Sequence, residues 1–271
     1  MSAEKTKPGS EFILTFEDSA DRVPVLMIHG FPLNNTMWDD QIYGLADVAR
    51  LITPDLRGHG LTEATDVTPY TMELLATDCV NLLDFLGYEG PVVVAGLSMG
   101  GYIALETCRR FPERVSGLIL AATKASADTD EAKAGREESA RVALAEGVKP
   151  VVASLLPKLL APSAYKDQPD LVVGLETMML AASPQGVAGA QLAMRDRPDS
   201  RGDLKNIKVP TLVVHGEEDQ LIPVSEARIM AEGIPGAELA LIEGAGHMVN
   251  MEQPELFNEA VREFLEGFYE A

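Results

Sequence analysis

Positive charge is scarce in this chain. Its 271 residues carry 22 Lys+Arg against 42 Asp+Glu, so the formal net charge is −20 and the isoelectric point lies near 4.5. A field of that sign repels phosphate backbones and anionic lipid surfaces, which argues against nucleic-acid and polybasic membrane roles. Its plainest consequence is solubility. Long apolar runs are missing too: none approaches the ~18 residues that suggest a membrane span. Residues 1–12 contain lysines but no apolar stretch behind them, so they do not read as a secretory signal. Gly9-Ser10-Glu11-Phe12 resembles a cloning scar, and residues 1–11 read as a tag or linker. The chain has only two cysteines, Cys79 and Cys108, both in helix-like segments and at a spacing that fits no metal site. They are expected to be reduced. These absences describe a cytoplasmic protein, monomeric or a small homo-oligomer, with no nucleic-acid or membrane partner and no metal or cofactor.

What the chain does have is alternation. Short apolar runs lie at 23–29, 51–53, 92–97, 115–121, 209–215 and 237–242. Uninterrupted runs of this length suit strands covered on both faces, as in a parallel sheet. Between several of them the period changes. Met72, Leu75, Cys79, Leu82, Leu83 and Leu86 recur at spacings of three and four, and so do Phe257, Val261, Phe264, Leu265 and Phe268, with Pro254 at a helix start. Strands alternating with helices predict an α/β fold with a mostly parallel sheet. Residues 12–16, ahead of the 23–29 run, would add an antiparallel hairpin at its edge. From 124 to 201 the alternation stops. Helical stretches at 130–146, 148–156, 169–182 and 185–194 follow one another, punctuated by Pro150, Pro157, Pro162, Pro169 and Pro184. This reads as a helical insertion between two strands.

The run at 92–97 ends in Gly96-Leu97-Ser98-Met99-Gly100-Gly101, with a helical pattern directly behind it. A serine on so tight a strand-to-helix turn takes strained backbone angles, and the turn closes only if its neighbours lack bulk. Its hydroxyl then stands at the carboxyl edge of the sheet, where ligands bind in open parallel sheets. Alone, the Gly-x-Ser-x-Gly pattern of a nucleophile elbow is a weak signal; its position between a β-run and a helix strengthens it. A serine also needs a base, and there are four histidines. His29 and His215 end apolar runs and read as backbone-shaping, while His59 sits in a loop, Asp55-Leu56-Arg57-Gly58-His59-Gly60. His247 lies in the glycine-flanked loop Gly244-Ala245-Gly246-His247, between the last strand and the last helix, and is the candidate base. Asp219, beyond the 209–215 run, is the candidate carboxylate that orients the imidazole; Glu217 and Glu218 fit a solvated turn better. The backbone N–H groups of Met99 and Phe31 are the candidate oxyanion donors.

Five segments in order, HGFP, DLRGHG, GLSMGG, HGEED and GAGH, resemble the α/β-hydrolase superfamily over nearly the whole chain, from Val23 to Phe268. The resemblance implies an eight-stranded, mostly parallel sheet flanked by helices, a core formed by 1–123 and 202–271, and a helical cap at 124–201. Serine at 98 separates the chain from the dehalogenase and epoxide hydrolase branches, which carry aspartate there. Nothing resembles a dinucleotide fingerprint. Within the superfamily the chain is most similar to small carboxylesterases and 3-oxoadipate enol-lactonase-like hydrolases. The implied activity is hydrolysis of a small-molecule ester of short to medium acyl chain through Ser98, His247 and Asp219. An enol-lactone or carbon–carbon bond hydrolase, or a ligand receptor retaining the three residues, stays open. The Leu, Val and Met content of 124–201, with Met178, Met179 and Met194, suggests an apolar pocket. Arg195 and Arg197 are the candidate cations for a substrate carboxylate, although solvation suits both.

Overall fold

The computed structural model describes residues 4–5, 14–18, 22–65 and 69–268. Apart from residues 4–5, the expected tag or linker lies outside these residues, as does Phe12. Eight strands form one sheet: β1 Glu4–Lys5, β2 Thr15–Asp18, β3 Val23–Ile28, β4 Ala49–Pro54, β5 Val92–Leu97, β6 Val115–Ala121, β7 Thr211–Gly216 and β8 Glu238–Ile242. Their order is β1-β2-β4-β3-β5-β6-β7-β8. From β4 to β8 every pairing is parallel, whereas β1 and β2 run antiparallel at one edge. The edge strand expected ahead of β3 is therefore present, but it pairs with β4 (Phe16 opposite Pro54) and not with the strand that follows it in sequence.

The unbroken apolar runs have the cause expected of them. All six residues of β5 and all six of β7 are buried, because helices cover both faces of the sheet. The helices are α1 Asp39–Gly44, α2 Met72–Phe85, α3 Met99–Arg110, α4 Asp130–Glu146, α5 Lys149–Leu155, α6 Ala164–Asp167, α7 Pro169–Leu180, α8 Pro184–Arg195, α9 Val224–Gly233, α10 Val249–Glu252 and α11 Pro254–Glu266. In α2 the stripe Met72, Leu75, Cys79, Leu82 and Leu83 is buried, and Thr71 caps the first turn by accepting the Leu74 N–H at 3.0 Å. In α11 Phe257, Val261, Phe264 and Leu265 face inward, with Phe257 stacked at 6.1 Å from the fully buried Trp38.

Strand order creates the crevice. From β3 the chain steps one way to β4, and its later strands continue on the other side from β5. The carboxyl ends of β3 and β5 are thus neighbours whose following loops diverge, the arrangement in which open parallel sheets hold ligands. Ile28 is in register with Gly96, so the loop carrying Phe31 and the turn carrying Ser98 emerge side by side. Gly216 in β7 pairs with Ile242 in β8, which places the loops of Asp219 and His247 next to each other.

Between β6 and β7 the chain forms only helices, α4 to α8 and a short 3-10 turn at Leu156–Lys158, before the turn at Leu204–Asn206. α8 packs close on the core. A Cβ on Gly186 would lie 2.3 Å from the Gly58 carbonyl oxygen, and Ser183 donates to that same oxygen through its N–H at 2.8 Å and its Oγ at 3.0 Å. No single described helix is long and apolar enough to cross a membrane.

Candidate active site

Ser98 has φ 54° and ψ −111°, left-handed angles that a non-glycine residue adopts only when its surroundings impose them. The surroundings here are specific. A Cβ on Gly96 would sit 2.1 Å from the Gly100 carbonyl, one on Gly100 would sit 2.1 Å from the Ile28 carbonyl, and one on Gly101 would collide with Thr123 at 2.5 Å. The three glycines let β5 turn directly into α3. Bonds from the Ser98 N–H to the Ala121 oxygen at 2.9 Å and from Thr123 Oγ1 to the Ser98 oxygen at 2.7 Å fix the turn to β6 and the loop beyond it.

Asp219 and His247 meet. The imidazole Nδ1 lies 2.8 Å from Asp219 Oδ2, which assigns Nδ1 as the donor and leaves Nε2 free to accept a proton. Asp219 Oδ1 accepts the N–H groups of Leu221 at 2.8 Å and Ile222 at 3.0 Å, and its side chain is fully buried. Burial alone would raise its pKa, but the facing His247, hydrogen bonds from both His215 and His247, and the Ile222 amide outweigh it. The carboxyl is held well below the usual carboxylate range. His215 Nε2, 3.3 Å from Asp219 Oδ2, also bonds the Ile222 oxygen at 2.9 Å, so this histidine shapes the backbone, as expected, and braces the carboxylate as well. Glu217 and Glu218 are exposed.

Ser98 and His247 line one cavity of about 200 Å³, together with Phe31, Tyr102, Lys124, Arg136, Leu155, Met194, Leu221 and Ile222. Among the described residues, neither the Phe31 N–H nor the Met99 N–H donates a hydrogen bond. Met99 opens α3, where the first amides have no acceptor within the helix. A larger hollow of about 390 Å³, lined in part by Leu105, Cys108 and Val209, contains none of these candidate residues.

The other two histidines join the loops behind the site. His29 Nδ1 contacts the Gly30 oxygen at 2.8 Å, and its Nε2 accepts the Leu56 N–H at 2.9 Å, tying the loop after β3 to the loop after β4. His59 Nδ1 reaches the Arg57 oxygen at 2.8 Å, and the two rings are 5.2 Å apart. Burial, with the neighbouring His59, pushes the His29 pKa down to about 3, and burial pushes that of His59 down to about 4.

Two groups escaped the sequence. Glu252 accepts the Gly246 N–H at 2.9 Å and the Ala161 N–H at 2.7 Å, so one buried carboxylate fastens the His247 loop to the helical segment. Its only sequence signal is a glutamate five residues past the histidine, which composition does not distinguish from a surface charge. Neither candidate cation lines the cavity, Arg195 being solvated and Arg197 buried. Arg195 pairs with the adjacent Asp196 at 2.7 Å. Arg197 is buried, donating to Asp128 at 2.8 Å with its guanidinium 4.1 Å over the Tyr102 ring. The cations that line the cavity are Lys124 and Arg136. Of the methionines, Met194 lines the cavity, whereas Met179 is packed away with no exposure.

The chain belongs to the α/β-hydrolase family: the family profile described as the alpha/beta hydrolase fold matches residues 23–254. Among its relatives, 3-oxoadipate enol-lactonase 2 of Acinetobacter baylyi is 31% identical over 249 residues, covering 92% of this chain and 91% of that protein. A thermophilic esterase from Thermogutta terrifontis, solved with malate bound, superposes with a TM-score of 0.94 at 39% identity and covers 98% of this chain and 99% of its own. The enol-lactonase of Burkholderia xenovorans superposes with a TM-score of 0.87 at 26% identity, covering 95% and 98%.

Proposed function

We propose that the protein is a serine hydrolase that cleaves carboxylic esters of short to medium acyl chain, with Ser98 as nucleophile, His247 as general base and acid, and Asp219 orienting the imidazole. One observation carries this reading: a strained serine and a carboxylate-held imidazole line the same small cavity. Ser98 Oγ attacks the ester carbonyl while its proton passes to His247 Nε2. The oxyanion is received by the Met99 and Phe31 amides, and the tetrahedral centre collapses as the imidazolium protonates the departing alcohol. Water, deprotonated by His247, then attacks the acyl-enzyme, and the proton returns to Ser98 as the acid leaves. Segment 124–201 acts as a cap over a core of 1–123 and 202–271. Support for this role comes from Leu155 and Met194, two residues of the segment that line the cavity. Enol-lactone hydrolysis is the second reading, favoured by the Acinetobacter relative.

A panel of p-nitrophenyl esters of increasing acyl length, with an enol-lactone beside them, separates the two. Ser98→Ala is expected to lower kcat by about 10⁴-fold or more with an unchanged circular dichroism spectrum. A folded Ser98→Ala protein with wild-type turnover overturns the assignment.

A further inference from the structure

We infer that the cavity is built for an ester carrying a free carboxylate, which Lys124 and Arg136 receive; the inference rests on the serine hydrolase reading above. In a chain with nearly twice as many acids as bases, three cations converge on one carboxylate beside the cavity. Asp128 is 1% exposed at its side chain and is contacted by Arg136, by Arg197 at 2.8 Å and by Lys124 at 3.5 Å. The cluster therefore holds three positive charges against one negative.

The hydrogen bonds show which of the three are already engaged. Arg197 is engaged and buried: Nη2 donates to Asp128 Oδ1 and to the Ser126 oxygen at 2.9 Å, Nη1 donates to the Met194 oxygen at 2.8 Å, and its side chain is 3% exposed. It anchors the helical segment and does not line the cavity. Arg136 directs Nε to Asp128 Oδ2 and Nη1 to Gln191 Oε1 at 3.0 Å, while its Nη2 donates to no described residue. Both Asp128 oxygens thus accept from guanidinium groups. Among the described residues Lys124 is left with a single ion-pair contact, at 3.5 Å, on an oxygen that Arg197 already occupies. Lys124 and Arg136 keep 23% and 22% side-chain exposure, and both line the same cavity as Ser98 and His247. A solvated lysine needs no guanidinium beside it, and a structural tether needs no third cation. A carboxylate arriving with the substrate would use the free Nη2 and the free ammonium hydrogens, and would offset the excess charge.

The carboxylate can belong to the acid or to the alcohol of the ester, and two substrate pairs distinguish these. Monomethyl glutarate is compared with methyl pentanoate, and the butanoyl ester of glycolate with isobutyl butanoate, by kcat/KM in each case. The wild-type enzyme is expected to favour the anionic member of at least one pair. Lys124→Met and Arg136→Gln are each expected to lower that anionic-to-neutral ratio about tenfold or more, and Lys124→Arg to restore most of it. Reading a ratio separates loss of charge recognition from a general loss of activity if Arg136→Gln loosens the helical segment. Preference for the neutral member of both pairs, or a ratio unmoved by Lys124→Met, overturns the inference while leaving the serine mechanism standing. Cleavage of neutral esters by a folded Ser98→Ala protein would instead remove the reading on which it rests.

Discussion

The cavity has two walls made by different means. The sheet rim presents Ser98, His247 and the Asp219 behind it from turns only a few residues beyond the strand ends, and each turn is closed by short-range features. Three glycines close the Ser98 turn, and two consecutive amides fold Asp219 onto its own loop. The facing wall presents Lys124, Arg136, Leu155 and Met194 from segments held by side-chain ion pairs, Asp128 with the nearby Arg136 and with Arg197, 69 residues away. The two walls are nevertheless joined, because Glu252 accepts both the Gly246 and the Ala161 N–H and so links the His247 loop to the helical segment.

The largest expected effect tests the rim. Asp219→Asn is nearly isosteric and keeps an oxygen for the Leu221 and Ile222 amides, yet it removes the charge that holds His247 Nδ1–H toward it. With the tautomer no longer enforced, kcat for a neutral ester should fall about 10⁴-fold, while thermal unfolding moves little by comparison. A drop of less than tenfold would mean that His215 or the loop alone orients the imidazole, and the rim would be less local than described.

The facing wall is tested by Asp128→Ala. Three cations then share no carboxylate, and Arg197 is left buried beneath the Tyr102 contact. Removing one partner of a buried ion pair costs on the order of 3–5 kcal/mol, measured as the loss of unfolding free energy in urea. A loss below about 1 kcal/mol would place Asp128 among ordinary surface pairs and remove the distinction between the walls.

The same division governs what the sequence revealed. Strands 92–97 and 115–121 and the helix at 130–146 match residue for residue: burial on both faces marks the strands, and Thr129, accepting the Ala132 N–H at 3.2 Å, and Gly147 bound the helix, all of them local properties. Boundaries shift where one residue serves two ends. Arg50 hides the start of β4 by interrupting the apolar run, its guanidinium 5.2 Å over the Tyr88 ring. Pro210, lacking an N–H, delays β7 to Thr211 but still accepts the Leu118 N–H at 2.9 Å. Ser98, Asp219 and His247 were legible because glycine spacing and strand ends mark them. Lys124 and Arg136 were not: Asp128 is only four and eight residues from them, but a carboxylate at that spacing reads as an ordinary surface pair, and Arg197, the buried partner that marks it out, is 69 residues away. Glu252 was missed for the same reason, its partners Gly246 and Ala161 being 6 and 91 residues away.

Acid should separate the two walls, with the smallest of these effects. Behind the rim, His29 and His59 are buried as neutral imidazoles with pKa values of about 3 and about 4, against 6.5 in the open chain. Below pH 6.5 the unfolded chain takes up protons that the folded state refuses, so stability falls as pH falls. The loss continues until the folded form also protonates, near pH 4 for His59 and pH 3 for His29. From pH 7 to pH 5 each imidazole should remove about 2 kcal/mol from the unfolding free energy. The Asp128 cluster runs differently. Burial would raise its carboxyl, but the Arg197 hydrogen bond and the Arg136 charge outweigh that and hold it well below the usual range, so it stays ionised across the same interval. Urea unfolding of His59→Gln and the parent at pH 7, 6 and 5 isolates the difference, because His29, whose pKa is set first by burial and only secondarily by His59, stays neutral in the folded state across this range in both proteins. The variant should lose about 2 kcal/mol less over those two pH units. Parallel pH dependences would mean that His59 protonates without unfolding the loops it joins, and that the rim tolerates acid as the ion pairs do.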